Sequence, residues 1–150
     1  ETVNNQLCEN NEAEMFVTVW LGIYEISTGR LKVANAGHEF PAIKRANGEF
    51  ALYKEKSGFV LAGMENARYR EYNLELHKGD MLFIYTDGVA EPTDAANTLY
   101  GTGRMLAALN RASDGTPKEL LHAVKDDVDR FVGEAPQFDD ITMLALQIKG

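Results

Sequence analysis

Cysteine is almost missing from this chain: Cys8 is the only one among 150 residues. A single thiol makes no internal disulfide, so nothing points to an oxidising compartment, and cysteine-based metal sites are excluded as well. Histidine is nearly as scarce. His38, His77 and His122 are too scattered to form a zinc signature. No apolar run approaches the ~18 residues of a membrane span, and no basic-then-apolar leader opens the chain. Positive charge is the minority sign, with 15 Lys and Arg against 23 Asp and Glu for a net charge of −8. That balance disfavours nucleic acid and anionic membranes as partners, and fits a cytoplasmic protein that attracts cations. Serine-hydrolase, Walker and dinucleotide-binding glycine motifs are absent too, so those enzyme classes find no support.

What remains is a chain of ordinary globular composition, 45% hydrophobic and 25% charged, long enough to bury a core as one domain over residues 1–150. No repeat, low-complexity tract or linker divides it. Met15 to Ile26 is rich in β-branched and aromatic residues and predicts a long strand. A turn at Ser27–Arg30 leads into a return strand, Leu31 to Ala36. Ala42 to Ala46 and Glu49 to Lys54 flank Asn47-Gly48, a dipeptide suited to a type I′ hairpin with positive φ at both positions. Arg70 to His77 alternates apolar and polar residues cleanly. Lys78-Gly79-Asp80 then turns into the apolar run Met81–Tyr85.

The last third changes period. Met105, Leu106 and Leu109 recur at helical spacing. A second helix is marked by Thr116 as N-cap, Pro117 at the first helical position and Glu119 closing a capping box. Its apolar stripe is Leu120, Leu121, Val124, Val128 and Phe131. A final strand runs from Ile141 to Ile148. Strands first, two helices late and one more strand predict an α+β fold of antiparallel sheets packed with helices.

Two acidic strand ends carry the chemistry. Asp87 stops the apolar run before Gly88, and Asp139-Asp140 precede the final strand. Each has a bland reading: Asp-Gly is a common turn dipeptide, and an acidic pair can simply be solvated. Together they suggest two carboxylates facing one solvent-filled space, which suits a hard divalent cation such as Mg²⁺ or Mn²⁺. Successive strand side chains point to opposite faces, so only one of Asp139 and Asp140 is expected to share a metal with Asp87. Asp126, Asp127 and Asp129 read as a water-facing helix surface, and His77 and His122 as lone surface residues. His38 sits in the tight loop Asn35-Ala36-Gly37-His38, either holding that loop or touching substrate. Tyr85-Thr86-Asp87-Gly88 is similar to the Asp-x-Asp-Gly signature of haloacid-dehalogenase phosphatases, but Tyr85 stands where their nucleophilic Asp would be. A covalent aspartyl-phosphate route is therefore disfavoured.

In order along the chain come Met15-Phe16-Val17-Thr18, Asn35-Ala36-Gly37-His38 with Pro41, Leu61-Ala62-Gly63-Met64, Lys78-Gly79-Asp80, Tyr85-Thr86-Asp87-Gly88-Val89 with Glu91, and Asp139-Asp140-Ile141-Thr142. This ordered set resembles the metal-dependent PPM protein phosphatases, in the bacterial branch typified by sporulation stage II protein E and RsbU. The resemblance runs from about Leu7 to Ile148. It implies a sandwich of sheets between helices, two Mn²⁺ or Mg²⁺ ions, and direct attack by a metal-activated water on phosphoserine or phosphothreonine, with no catalytic side chain forming a phosphoenzyme. By position, Asp87 and Asp139 would be metal ligands, with Asp140 ranked lower because relatives often carry Asn there. The implied substrate is a small signalling phosphoprotein of the anti-anti-sigma-factor kind, and the implied role is control of a transcription programme.

One departure stands out. Such enzymes also use an acidic early strand, a glycine-rich loop and a helix to bridge the two metals, and nothing in Glu1 to Met15 supplies these. The expectation is the C-terminal part of such a phosphatase domain, cut from a larger protein whose upstream region holds any sensor or membrane anchor. By itself it should bind metal weakly and turn over slowly. An apolar sheet edge from Met15 to Ile23 should lie open to pairing between copies, giving a homodimer. The rival reading is a non-catalytic interaction module built on a phosphatase-like fold.

Overall fold

The computed structural model describes residues 1–9, 11–136 and 139–149. Phe138, which opens the second acidic stretch, lies outside the described residues. The chain forms two compact units, Glu1–His38 with Lys54–Leu76, and Glu39–Tyr53 with His77–Gly150. Antiparallel sheets accompanied by helices give the α+β class that the sequence predicts.

The first unit contains helix α1 (Thr2–Cys8) and strands β1 (Val19–Glu25), β2 (Arg30–Ala36) and β5 (Glu71–Glu75), in sheet order β1-β2-β5. Register places Leu31 opposite Leu74 and Val33 opposite Tyr72, so one face gathers the buried apolar side chains. Gly22 lies opposite Val33, and a Cβ there would come within 2.7 Å of the Trp20 ring and 3.1 Å of Leu31. Glycine is thus what allows the indole to lie over this face. Leu21 and Ile23 alternate to the other face and stay 56% and 63% exposed on the edge strand, as the sequence leads one to expect.

The predicted strand from Met15 to Ile26 is shorter than expected. Asn11 holds both the N–H and the carbonyl of Met15, and Val17 pairs with Leu61, so residues 15–17 leave the β1–β2 ladder. The apolar pair Val3 and Leu7 on α1 is 59% and 42% exposed, whereas Asn4 is wholly buried. Its amide donates to Met64 O at 2.9 Å, and its Oδ1 accepts from Ala62 N–H and Tyr69 O–H at 3.0 and 2.8 Å. Ala62 has φ +65, a left-handed conformation that costs about 1–2 kcal/mol for a residue with a Cβ. Asn4 offsets that cost by satisfying the groups on either side of it.

The second unit holds β3 (Ala42–Lys44), β4 (Phe50–Leu52), β6 (Met81–Tyr85) and β7 (Met143–Gln147) in order β4-β3-β6-β7, with the helical turn α2 (Asp87–Ala90) and helices α3 (Gly101–Arg111) and α4 (Pro117–Val132). Met81, Phe83 and Tyr85 share one face of β6 and join Met105, Leu109, Leu120, Val124 and Val128 from the helices in a buried core. Burying each such side chain contributes roughly 1.5–3 kcal/mol. Phe83 and Tyr85 stack with ring centroids 5.8 Å apart. The predicted capping box is present: Glu119 N–H reaches Thr116 Oγ1 at 3.3 Å, and Thr116 N–H reaches Glu119 Oε2 at 2.7 Å.

Three expectations are corrected here. The β3–β4 connection is not a type I′ turn, since neither Asn47 nor Gly48 has positive φ. Gly48 N–H instead bonds Arg45 O, a four-residue β-turn without positive φ inside a five-residue loop. Asp127 is not simply water-facing: only 18% of its side chain is exposed, and it accepts from Tyr100 O–H at 2.8 Å and from Arg111, tying α4 to α3. His77 also has company, its Nδ1 lying 3.9 Å from Asp80.

Asp80 explains the turn at residues 45–48. It is 3% exposed and accepts from Arg45 Nη1 at 2.6 Å, Ala46 N–H at 3.0 Å and His77 N–H at 3.0 Å. Burial alone would raise its pKa, but these donors together outweigh burial and hold the carboxyl below its usual range. Asp80→Asn keeps the shape and removes the charge, and should lower unfolding free energy by roughly 1–3 kcal/mol at neutral pH. A depressed folded pKa means this contribution is fully present above the unfolded value of about 4 and fades as pH falls through the folded one. Urea unfolding of both chains should show a stability gap that closes toward acid; a gap indifferent to pH would contradict the assignment.

Candidate functional site

Strand β6 delivers Asp87, and β7 receives the chain from Asp139-Asp140. The register pairs Tyr85 with Met143. Beyond it the ladder continues through two threonines: Thr86 N–H donates to Thr142 O at 3.0 Å, and Thr142 N–H donates to Thr86 Oγ1 at 3.0 Å. Thr86 Oγ1 also donates to Asp140 O at 3.1 Å. A hydroxyl therefore replaces a backbone group at this step, which is why β7 begins at Met143 rather than at Ile141.

Gly88 completes the junction. A Cβ on it would collide with the Asp140 carbonyl and come 3.2 Å from the Asp139 carbonyl. Only glycine lets the backbone after Asp87 lie against the backbone of Asp139-Asp140. The two acidic segments that the sequence set 52 positions apart are thus neighbours. Asp87 is exposed and opens α2, its Oδ1 accepting from Gly88 N–H at 2.9 Å. Asp139 and Asp140 are exposed as well, and Asp139 Oδ1 accepts from Asp140 N–H at 2.7 Å. Among the described residues, no Lys, Arg or His forms an ion pair with Asp87 or Asp140.

Hard carboxylate oxygens suit Mg²⁺ or Mn²⁺. The set is sparse, however: among the described residues no group of three or more His, Cys, Asp or Glu side chains is placed to hold a metal ion. Tyr85, where the dehalogenase-like comparison would need a nucleophile, is 1% exposed and turned into the core.

His38 belongs to the other unit. Its backbone is clasped by Asn35, whose Oδ1 accepts from His38 N–H at 2.8 Å and whose amide donates to His38 O at 2.9 Å. The ring Nδ1 meets Thr18 Oγ1 at 3.2 Å. Asn35 is thus the residue that shapes this loop. The residues that assemble the acidic junction, Thr86, Gly88 and Thr142, were quoted in the sequence motifs but given no role. Threonine flanking both strand ends was the available signal.

Comparison with known proteins places the chain in a family. The family described as Stage II sporulation protein E (SpoIIE) matches residues 1–149. Protein IcfG of Synechocystis sp. is 33% identical over 139 residues, which is 92% of this chain and 22% of that protein. Phosphoserine phosphatase RsbU of Bacillus subtilis is 30% identical over 92 residues, 61% of this chain and 27% of that protein. The chain therefore spans about a quarter of the length of these two relatives. The PP2C phosphatase domain of the cell-fate determinant SpoIIE from Bacillus subtilis shares the fold, with a TM-score of 0.76 at 20% identity, covering 97% of this chain and 43% of that one. A manganese-presoaked structure of that phosphatase domain matches with a TM-score of 0.67 at 18% identity, covering 87% and 56%. With the match extending over almost its whole length, the chain belongs to the stage II sporulation protein E family of PPM-type phosphatases.

Proposed function

We propose that this chain contributes part of a metal-dependent phosphatase site, in which Asp87 and Asp139 hold Mn²⁺ or Mg²⁺ and Asp140 takes a lesser part. The observation that supports the reading is the close approach of Gly88 to the Asp139-Asp140 backbone, which brings the two acidic segments together without a protein cation on Asp87 or Asp140. A divalent ion bound there would supply an activated water and neutralise charge on phosphoryl oxygens. The protein's share is positional: Thr86 ties the end of β6 to the approach to β7, and Gly88 keeps the junction close. The identity of the relative RsbU as a phosphoserine phosphatase supports phosphoserine or phosphothreonine on a signalling protein as substrate. An anti-anti-sigma-factor-like protein in the cytoplasm is the partner proposed, with His38 either contacting it or shaping its own loop. No helix among the described residues is long and apolar enough to cross a membrane.

The sparse carboxylate set has a consequence. Two or three acids leave most of an octahedral shell to water, so metal binding by the 150-residue chain should be weak. Turnover of a phosphoserine peptide should fall below the ~1–10³ per second of ordinary enzymes. The same sparseness favours the second reading, a phosphatase-like module that binds a partner without hydrolysis. Calorimetric titration with Mn²⁺ separates the two. Binding should appear in the native chain and weaken by at least about 10-fold in Asp87→Asn, while Asp126→Asn on the surface of α4 leaves it intact. Equal binding by all three chains would remove Asp87 from the site, and no binding at all would leave the interaction module or a site that needs an acidic strand from outside these 150 residues, which a longer chain would separate.

Pairing between copies is proposed along β1, where Leu21 and Ile23 are exposed on an edge strand. Sedimentation should become concentration-dependent, and Ile23→Lys should suppress the effect. A monomer at every concentration would exclude pairing along this edge.

A further inference from the structure

A second site of opposite charge lies in the first unit. Lys56, Ser57, Gly58, Arg68 and Arg70 line a cleft of about 280 Å³, roomy enough for a phosphoryl group together with part of the molecule that carries it. The backbone holds this arrangement. Gly58 N–H donates to Asn35 O at 2.8 Å, and Ser57 Oγ accepts from Gly37 N–H at 3.0 Å and donates to Asn35 Oδ1 at 3.1 Å. A Cβ on Gly58 would come 2.8 Å from the Tyr69 ring, so segment 56–58 runs directly against segment 68–70. Tyr69 turns inward, its hydroxyl donating to Asn4. Arg68 and Arg70, on either side of it, stay exposed and line the cleft together with Lys56 and Ser57.

The charges there are unspent. In a chain of net charge −8, none of Lys56, Arg68 and Arg70 forms an ion pair among the described residues. The carboxylate next to Arg70, Glu71, is already 3.5 Å from Lys32. Three cations lining one cleft repel one another, and an anion between them relieves that repulsion. Two guanidinium forks beside an ammonium match the planar, multidentate donor pattern that phosphate oxygens take.

We propose that this cleft binds a phosphate-sized oxyanion through Arg68, Arg70 and Lys56. The site shares no residue with the acidic junction and stands or falls apart from it. The test follows backbone amide shifts of the ¹⁵N-labelled 150-residue chain during titration with inorganic phosphate at low salt. Shifts should centre on Ser57, Gly58, Arg68 and Arg70, and apparent affinity should drop on the order of 10-fold for each of Arg68→Ala and Arg70→Ala. Asp87→Asn should leave the response unchanged, which separates this site from the metal reading. All three side chains are exposed, so the variants should fold, and retained shift dispersion elsewhere checks that they do. A phosphoserine peptide and its unphosphorylated counterpart distinguish the source. Matching shifts from the phosphopeptide alone assign a protein-borne phosphoryl group, and shifts from free phosphate alone assign the free anion. Absence of shifts at these residues with every probe, or shifts that persist in the double arginine variant, would overturn the proposal.

Discussion

Pairing of β6 with β7 is the constraint on which the second unit depends. Strand β6 is central in its sheet, bonded to β3 on one side and β7 on the other, and its residues Met81, Leu82, Phe83 and Tyr85 are all buried. Because strand side chains alternate, slipping the register by one residue would turn Phe83 and Tyr85 out of the core. The apolar core therefore locks the register, and the register fixes which residues meet where the strands end. Asp87 and Asp139-Asp140 are neighbours because Tyr85 faces Met143, Thr86 takes up Thr142, and Gly88 leaves room for the incoming carbonyls.

Buried polar residues play a matching part elsewhere. Asn4, Asn35 and Asp80 are each at most 3% exposed, and each serves backbone groups of a loop that has no ladder partner of its own. A buried polar side chain is tolerated where its hydrogen-bonding capacity is filled, and these three are filled by loop backbone, supplemented by Tyr69 at Asn4, Ser57 at Asn35 and Arg45 at Asp80. Asn35 in this way shapes the His38 loop and also holds Ser57, which lines the basic cleft.

Much of this was legible in the residues. The capping box at Thr116, the alternation from Glu71 to Leu76, and the two acidic strand ends all rest on short-range chemistry that a sequence carries openly. The turn at Arg45–Gly48 was not, because Asn47-Gly48 favours type I′ locally while Asp80, 33 positions beyond Asn47, dictates another geometry. Asp127 misled for a similar reason: its helix position looks solvated until Tyr100 and Arg111 arrive from another element. Nor could spacing reveal the basic cleft, since Lys56 and Arg70, 14 positions apart, come to line it only where segment 56–58 packs against Tyr69. Long-range partners decide these cases, and a pattern of neighbours along the chain does not contain them.

The central claim is that strand register builds a cation site where β6 and β7 end, and paramagnetic broadening by Mn²⁺ tests it most directly. Substoichiometric Mn²⁺ should erase the amide signals of Asp87, Gly88 and Asp140 first, while signals of Asp126 and Asp129 on α4 persist. Broadening spread evenly over the acidic surface, or centred on α4, would mean that the ion follows net charge, and the account of the junction would be wrong.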